Sequence, residues 1–422
     1  MYREAVKISC MTPIKWMLKY LLVLNLCLFP FQSLSAHSYS LADALALTLL
    51  NNPELNAFDY DFRSGDARIL QASLQPNPTL DVLTENINAH IFMQTTFMLS
   101  QLIELGGKLQ ARVKLAKTEK DRVALDYEVM KRKLFVETTL LFIEVLFNQQ
   151  KLVFLQENLE VLQNFSSVVE KRVKAGKASV IEESNFIVLL NTARIDLNNA
   201  QNDLQIAQNK LAAQWGDANN ESVFALGDLN WIPEIISLDK MGNLIQEHPQ
   251  IIRSYFESNL RSAKILLEKS KSYPDVNLNG GPRYLEEVKK WVWVVGFTVP
   301  IPVNDRNQGR ILESKENFEK LEKEREALWV KLLNELNASY AAIQTISYEL
   351  HLLINSVLPA AQKAYDFSYK GYELARYNYL ELIETERAYR TSKIRYLQAL
   401  KEFHKALAIL QGLTGSKAII CE

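Results

Sequence analysis

From about Lys108 to about Lys174 the sequence keeps a helical period without a break. At 1.5 Å per residue such a helix spans roughly 100 Å. No ordinary globular core needs an element of that reach, so the chain must supply partners to lie along it. Two shorter helical stretches do so: Pro53 to about Ser73 and Ser179 to about Gln214 together cover roughly 85–90 Å. The long stretch carries an apolar seam through Leu134, Leu141, Val145, Leu155, Leu162 and Val169, with Asn148 as a polar break. Between the long helix and its second partner stands KAGKASVIEES, residues 174–184, the reversal at the far tip of a long antiparallel hairpin. SVIE (179–182) has the Ser-x-x-Glu pattern of a capping box that restarts the helix.

The same turn recurs 199 positions later as ELARYNYLELIE, residues 373–384. Gly176 then matches Ala375, Ser179 matches Asn378, Glu182 matches Glu381 and Gly216 matches Gly415. The helices that follow match as well. Leu190, Ala193, Leu197, Ala200, Leu204, Ala207 and Leu211 alternate large and small at 3,4 spacing, and Tyr389, Ser392, Tyr396, Ala399, Phe403, Ala406 and Leu410 do the same in register. Small residues at alternate seam positions let a partner helix approach closely. Upstream, NPELNAFDYDFRSGDARIL (52–70) resembles HPQIIRSYFESNLRSAKIL (248–266). The chain is a duplication, each half reading short helix, medium helix, strand, strand, long helix, turn, medium helix.

Four segments break the helical period: 79–86, 92–103, 275–280 and 291–299. The last places Trp291, Trp293, Val295, Phe297 and Val299 on one face and Val292, Val294, Gly296 and Thr298 on the other. Such alternation suits a strand between lipid and a water-filled lumen, and equally one wall of a soluble sandwich. An open sheet edge cannot stand in lipid, so if these strands span a membrane, several protomers must pool them.

The amino terminus favours export. Lys15 and Lys19 precede the apolar run 20–31, and SLSAH (33–37) offers cleavage after Ser35 or Ala36. The run is shorter than the roughly twenty residues of a spanning helix. Cys27 follows Leu26, which argues against lipidation, and once the signal is removed only Cys421 remains, so no intrachain disulfide forms. The histidines are scattered, and neither a phosphate-cradling glycine loop nor a nucleophile elbow is present. No catalytic residue, cofactor site or metal site is therefore expected. A formal net charge of −1 over 422 residues gives no reason to invoke nucleic acid.

The order of elements and the repeat resemble the TolC family of outer-membrane efflux channels over nearly the whole mature chain. The supporting stretches are 40–55 (SLADALALTLLNNPEL), 102–113 (LIELGGKLQARV), 299–311 (VPIPVNDRNQGRI) and 357–393. ELGGK (104–108) and PIPVNDRNQGR (300–310) look most like the CzcC-type branch, which serves heavy-metal efflux pumps. The resemblance implies a mostly α fold of duplicated long coiled-coil hairpins, with four strands per protomer contributing to a trimeric twelve-stranded barrel. It also implies a passive duct partnered by a periplasmic adaptor and an inner-membrane, proton-driven RND-type transporter. The domains expected are a signal peptide (1–36), a first repeat (37–217), a linker (218–237), a second repeat (238–416) and a tail (417–422). The other functions weighed are a soluble periplasmic scaffold or adaptor, an exported enzyme, and a duct for drugs or other small molecules. Two features depart from the family: Ala375 replaces a turn glycine, and the links around 86–91 and 281–290 look short.

Residues 369–384 would form the periplasmic mouth. Glu381 and Glu384 align with the family's acidic ring and share a helix face. Glu381 and its repeat mate Glu182 also read simply as third residues of capping boxes, whereas Glu384 has no capping role. Tyr372 and Arg376 fall where the family places cross-protomer hydrogen bonds that hold the tip closed. Lys174, Gly176, Lys177, Ala375 and Tyr377 form the surface for adaptor docking, or equally a solvated pair of helix ends with cations, among them Lys171 and Arg172, near a C-terminus.

Overall fold

The computed structural model describes residues 37–88, 92–217, 223–374 and 376–415. The export segment with Ser35 and Ala36, the start of the linker, Ala375, and the tail with Cys421 lie outside the described residues.

Local sequence sets the helix starts. Ser40 caps α1 (Leu41–Asn51) through a capping box with Asp43, and Asn52 caps α2 (Pro53–Ser73), its side chain accepting from the Glu54 and Leu55 amides at 2.9 and 3.2 Å. After strands β2 (Thr79–Glu85) and β3 (Gln94–Ile103), α3 runs unbroken from Lys108 to Lys174, and α4 (Val180–Ala212) returns along it. The second half repeats the order with α5 (Leu238–Leu244), α6 (Pro249–Ser270), β5 (Val276–Leu285), β6 (Lys290–Thr298), α7 (Gln308–Leu352), α8 (Leu358–Glu373) and α9 (Tyr379–Thr414). Its long helix differs from α3 in one respect. α7 and α8 are joined by a π turn, Leu353–Val357, just before Pro359. Proline lacks an amide hydrogen and its ring crowds the carbonyl four residues back, and the wide turn accommodates both.

As the seam spacing requires, α3 packs against α2 and α4 laid end to end, and also against α9, which in turn contacts α7 and α8. Ala200 and Leu211 are fully buried in α4, and Phe403 and Leu410 occupy the matching depth in α9. Where all the long helices meet, one cluster gathers Phe142, Val145, Leu211, Met241, Leu336, Leu400 and Phe403. A second cluster, of Leu162, Phe165, Val169, Phe186, Tyr372 and Leu382, packs the hairpin tips together.

Four strands form one antiparallel sheet in the order β2-β3-β5-β6. The register puts Leu80, Val82, Phe97, Leu99, Leu278, Trp293, Val295 and Phe297 on one face, where Trp293, Val295 and Phe297 are 79%, 83% and 73% exposed. The other face carries Asp81, Gln94, Thr96, Ser100, Asn279 and Arg283. There Arg283 donates to the Thr96 hydroxyl at 2.9 Å and Ser100 to Asp81 at 3.4 Å. An apolar, aromatic-rich outer face backed by a hydrogen-bonded polar face is the pattern of a barrel wall between lipid and water. Among the described residues no helix is long and apolar enough to cross a membrane.

Two strand expectations need correction. β5 does not stop at Gly280; it continues through Gly281 and Pro282 to Leu285, leaving residues 286–289 as the link. Pro282 cannot donate, and Gly281 stands so close to the Phe97 carbonyl that a Cβ would collide, so the ladder to β3 opens there and then resumes. The four-strand reading also omitted a parallel pair, β1 (His37–Ser40) with β4 (Val223–Leu226). β4 falls inside the stretch expected to be linker, with Val223 and Ala225 buried and Phe224 and Leu226 exposed.

Candidate functional site

Both reversals are built by the same backbone device. In the first, Gly176 takes a left-handed φ of 66° and the Lys177 amide donates back to the Arg172 carbonyl at 2.8 Å. In the second, the Arg376 amide donates to the Gly371 carbonyl at 2.8 Å, the equivalent bond in the other repeat. Gly371 is needed for a separate reason: a Cβ there would strike the ring of Tyr377, which folds back over it.

The two capping boxes come out differently. Asn378 and Glu381 form a complete one, each side chain bonded to the other's amide at 2.9 Å. Ser179 accepts from the Glu182 amide at 3.2 Å, but Glu182 does not reach back. Its carboxylate instead accepts from the Tyr372 hydroxyl at 3.3 Å, so the expected SVIE box is only half made. The reason is tertiary: Tyr372 is fully buried, and burial of its hydroxyl requires an acceptor.

Tyr372 is the centre of the tip. The Arg172 guanidinium lies 4.0 Å from its ring centroid and also donates to its carbonyl, while Phe165 packs on the ring at 5.3 Å. Burial raises the tyrosine's pKa, opposed by the charge of Arg172. This clasp ties α8 to α3 and α4 within one protomer. Arg376, expected to act beside Tyr372, is exposed and makes no side-chain hydrogen bond or ion pair among the described residues. Within the protomer the cation on Tyr372 is Arg172, whose repeat mate is Gly371, so the two tips are complementary rather than identical. The sequence counted Arg172 only among the tip's cations.

Glu381 and Glu384 are both exposed, and Glu384 has no side-chain partner among the described residues. Lys174 pairs with Glu170 at 2.6 Å on the surface; Gly176, Lys177 and Tyr377 are exposed at the extreme tip. Among the described residues no cluster of His, Cys, Asp and Glu could hold a metal ion.

A sheet with one apolar, aromatic-rich face, carried on long duplicated hairpins that end in polar tips, is the architecture of a channel-type protein. Residues 44–217 and 241–416 match the outer membrane efflux protein family, and the chain belongs to it. It is 27% identical over 388 residues to the cobalt-zinc-cadmium resistance protein CzcC of Cupriavidus metallidurans, covering 90% of this chain and 91% of that one. It is 22% identical over 287 residues to the nickel-cobalt-cadmium resistance protein NccC of Alcaligenes xylosoxydans xylosoxydans, covering 66% of this chain and 64% of that one. The fold is TolC-like: the Campylobacter jejuni CmeC outer membrane channel superposes with a TM-score of 0.71 at 15% identity, over 90% of this chain and 87% of that one.

Proposed function

We propose that this chain is the passive exit duct of a tripartite, proton-driven efflux system and that it exports heavy-metal cations. One observation carries the reading: a four-stranded sheet, apolar outside and polar inside, whose edge strands β2 and β6 have no partner among the described residues. Unpaired edges are untenable in lipid, so copies must join edge to edge, and three copies give a twelve-stranded barrel wide enough for a lumen. The barrel then sits in the outer membrane of a Gram-negative cell against lipid. Hairpins of roughly 100 Å would reach into the periplasm as a tunnel. Its partners are a periplasmic adaptor and an inner-membrane RND-type transporter that supplies the energy. The name of the relative CzcC supports metal as cargo. The repeats would span 37–217 and 238–416, after a signal peptide of 1–36.

Residues 369–384 would form the mouth, with Glu384 lining it. Three carboxylates about 6–8 Å apart repel by only about 0.5–0.7 kcal/mol per pair in bulk-like water, so charge would select cations rather than hold the gate. The test joins fractionation to mass measurement. The mature chain should stay with the outer membrane at high salt and weigh three copies in detergent, and its deletion should sensitise the cell to cobalt, zinc or cadmium. A soluble monomer would end the reading.

A further inference from the structure

Glu386 lies two residues beyond Glu384 on α9, yet on the opposite side of the helix, facing the inside of its own bundle. It is 2% exposed, and among the described residues neither carboxylate oxygen accepts a hydrogen bond. A buried, unsatisfied carboxylate is costly, so such a group is retained neutral or in balance with a cation. Arg390, one turn on, comes within 3.4 Å of it but shares its charge with Asp196 of α4 at 3.2 Å, and the Arg390 Nε is itself buried without an acceptor. From α3, the buried Asn158 side chain faces the carboxylate, short of a well-formed hydrogen bond, and favours its charged form. α8 contributes Tyr365, and α9 itself adds Arg387, Tyr379 and Tyr389. Both hairpins therefore meet around this one acid.

We propose that Glu386 is a proton-binding site at the joint between the two hairpins: protonated, it lets the tip pack tightly; ionised, it loosens the joint and eases opening of the mouth. The bearing on export rests on the duct reading above; the protonation chemistry does not. Burial, helped by the charge of Asp196, raises the proton affinity of Glu386 in the packed state, with Arg390, Asn158 and Arg387 only partly offsetting it. The packed state then binds the proton more tightly than the loosened one. It is favoured most in acid and loses ground as pH rises from the ordinary glutamate range through the raised value, by up to about tenfold per pH unit. His248 works in the opposite sense, since burial lowers its pKa to about 4.

The experiment uses the purified mature chain in detergent and compares it with Glu386→Gln, Arg390→Gln and, as an exposed control, Glu160→Gln. Infrared spectra should show a protonated-carboxyl band that survives above the pH at which exposed carboxylates ionise. It should be missing in Glu386→Gln, kept in Glu160→Gln, and shifted to still higher pH in Arg390→Gln, where the cation is gone. Helix melting followed against pH should show the gap between parent and Glu386→Gln widening as Glu386 ionises. Should Glu386→Gln fail to fold, the Arg390→Gln shift decides alone. A band absent from the parent, an Arg390→Gln titration identical to the parent, or a melting gap independent of pH would overturn the proposal.

Discussion

Replacing Arg172 with Met tests the internal clasp at the tip. Met keeps the apolar stem but removes the guanidinium from the Tyr372 ring, 4.0 Å away, and from the Tyr372 carbonyl. A charge-assisted hydrogen bond contributes about 1.5–3 kcal/mol and a partly buried cation–π contact about 0.5–2 kcal/mol. The two share one side chain and do not add fully, so the closed tip should lose about 2–4 kcal/mol. That corresponds to roughly 30–1,000-fold in the closed-to-open ratio. In planar bilayers, Arg172→Met should raise single-channel conductance while crosslinking still reports the parental number of copies. Arg376→Ser, at an exposed side chain without a partner among the described residues, should act only through contacts between protomers. If Arg376→Ser opens the mouth and Arg172→Met leaves conductance at the parental value, the internal clasp does not hold the tip, and the reasoning fails.

Ala200 is fully buried against Phe154, Leu155 and Tyr389, so Ala200→Leu should overpack the seam and cost about 1–3 kcal/mol in chemical denaturation. Asn199→Leu, exposed on the same helix, should change little, and equal effects would mean the seam is misassigned. Glu384→Gln should reduce cation preference in reversal-potential measurements and weaken block by multivalent cations. Unchanged selectivity would remove Glu384 from the aperture. His248 caps α6 by accepting the Gln250 amide at 3.3 Å on Nδ1, which requires the neutral ring, and burial lowers its pKa to about 4. The unfolded chain protonates first as pH falls below about 6.5, so stability drops through that window, by on the order of 3 kcal/mol at pH 4. His248→Asn, which installs the residue found at the matching cap Asn52, should keep the helix and flatten the acid limb of the melting curve. An unchanged acid limb would show that His248 is not its source.

The helices were legible because their determinants are local. A period of 3.6 and a cap within four residues specified α3 from Lys108 to Lys174, the Asn378–Glu381 box and the Gly176 turn without reference to the rest of the chain. The alternating stripes of α4 and α9 were legible for the same reason, and the duplication made each half a check on the other. The outward aromatic face of β6 could be read from alternation, but whether it met lipid or a second sheet could not, since both bury one face in two. What only the tertiary structure decided lies between residues far apart in the chain. The β1–β4 pair joins His37 to Val223 with no turn to announce it. Arg172 and Tyr372 meet across 200 residues, drawing Glu182 away from its cap, and Glu386, which by type belongs on a solvated face, is enclosed where the two hairpins converge. Periodicity reports which face of a helix is apolar; it cannot report which polar side chains another helix will cover, because burial is set by where the partner backbone lies.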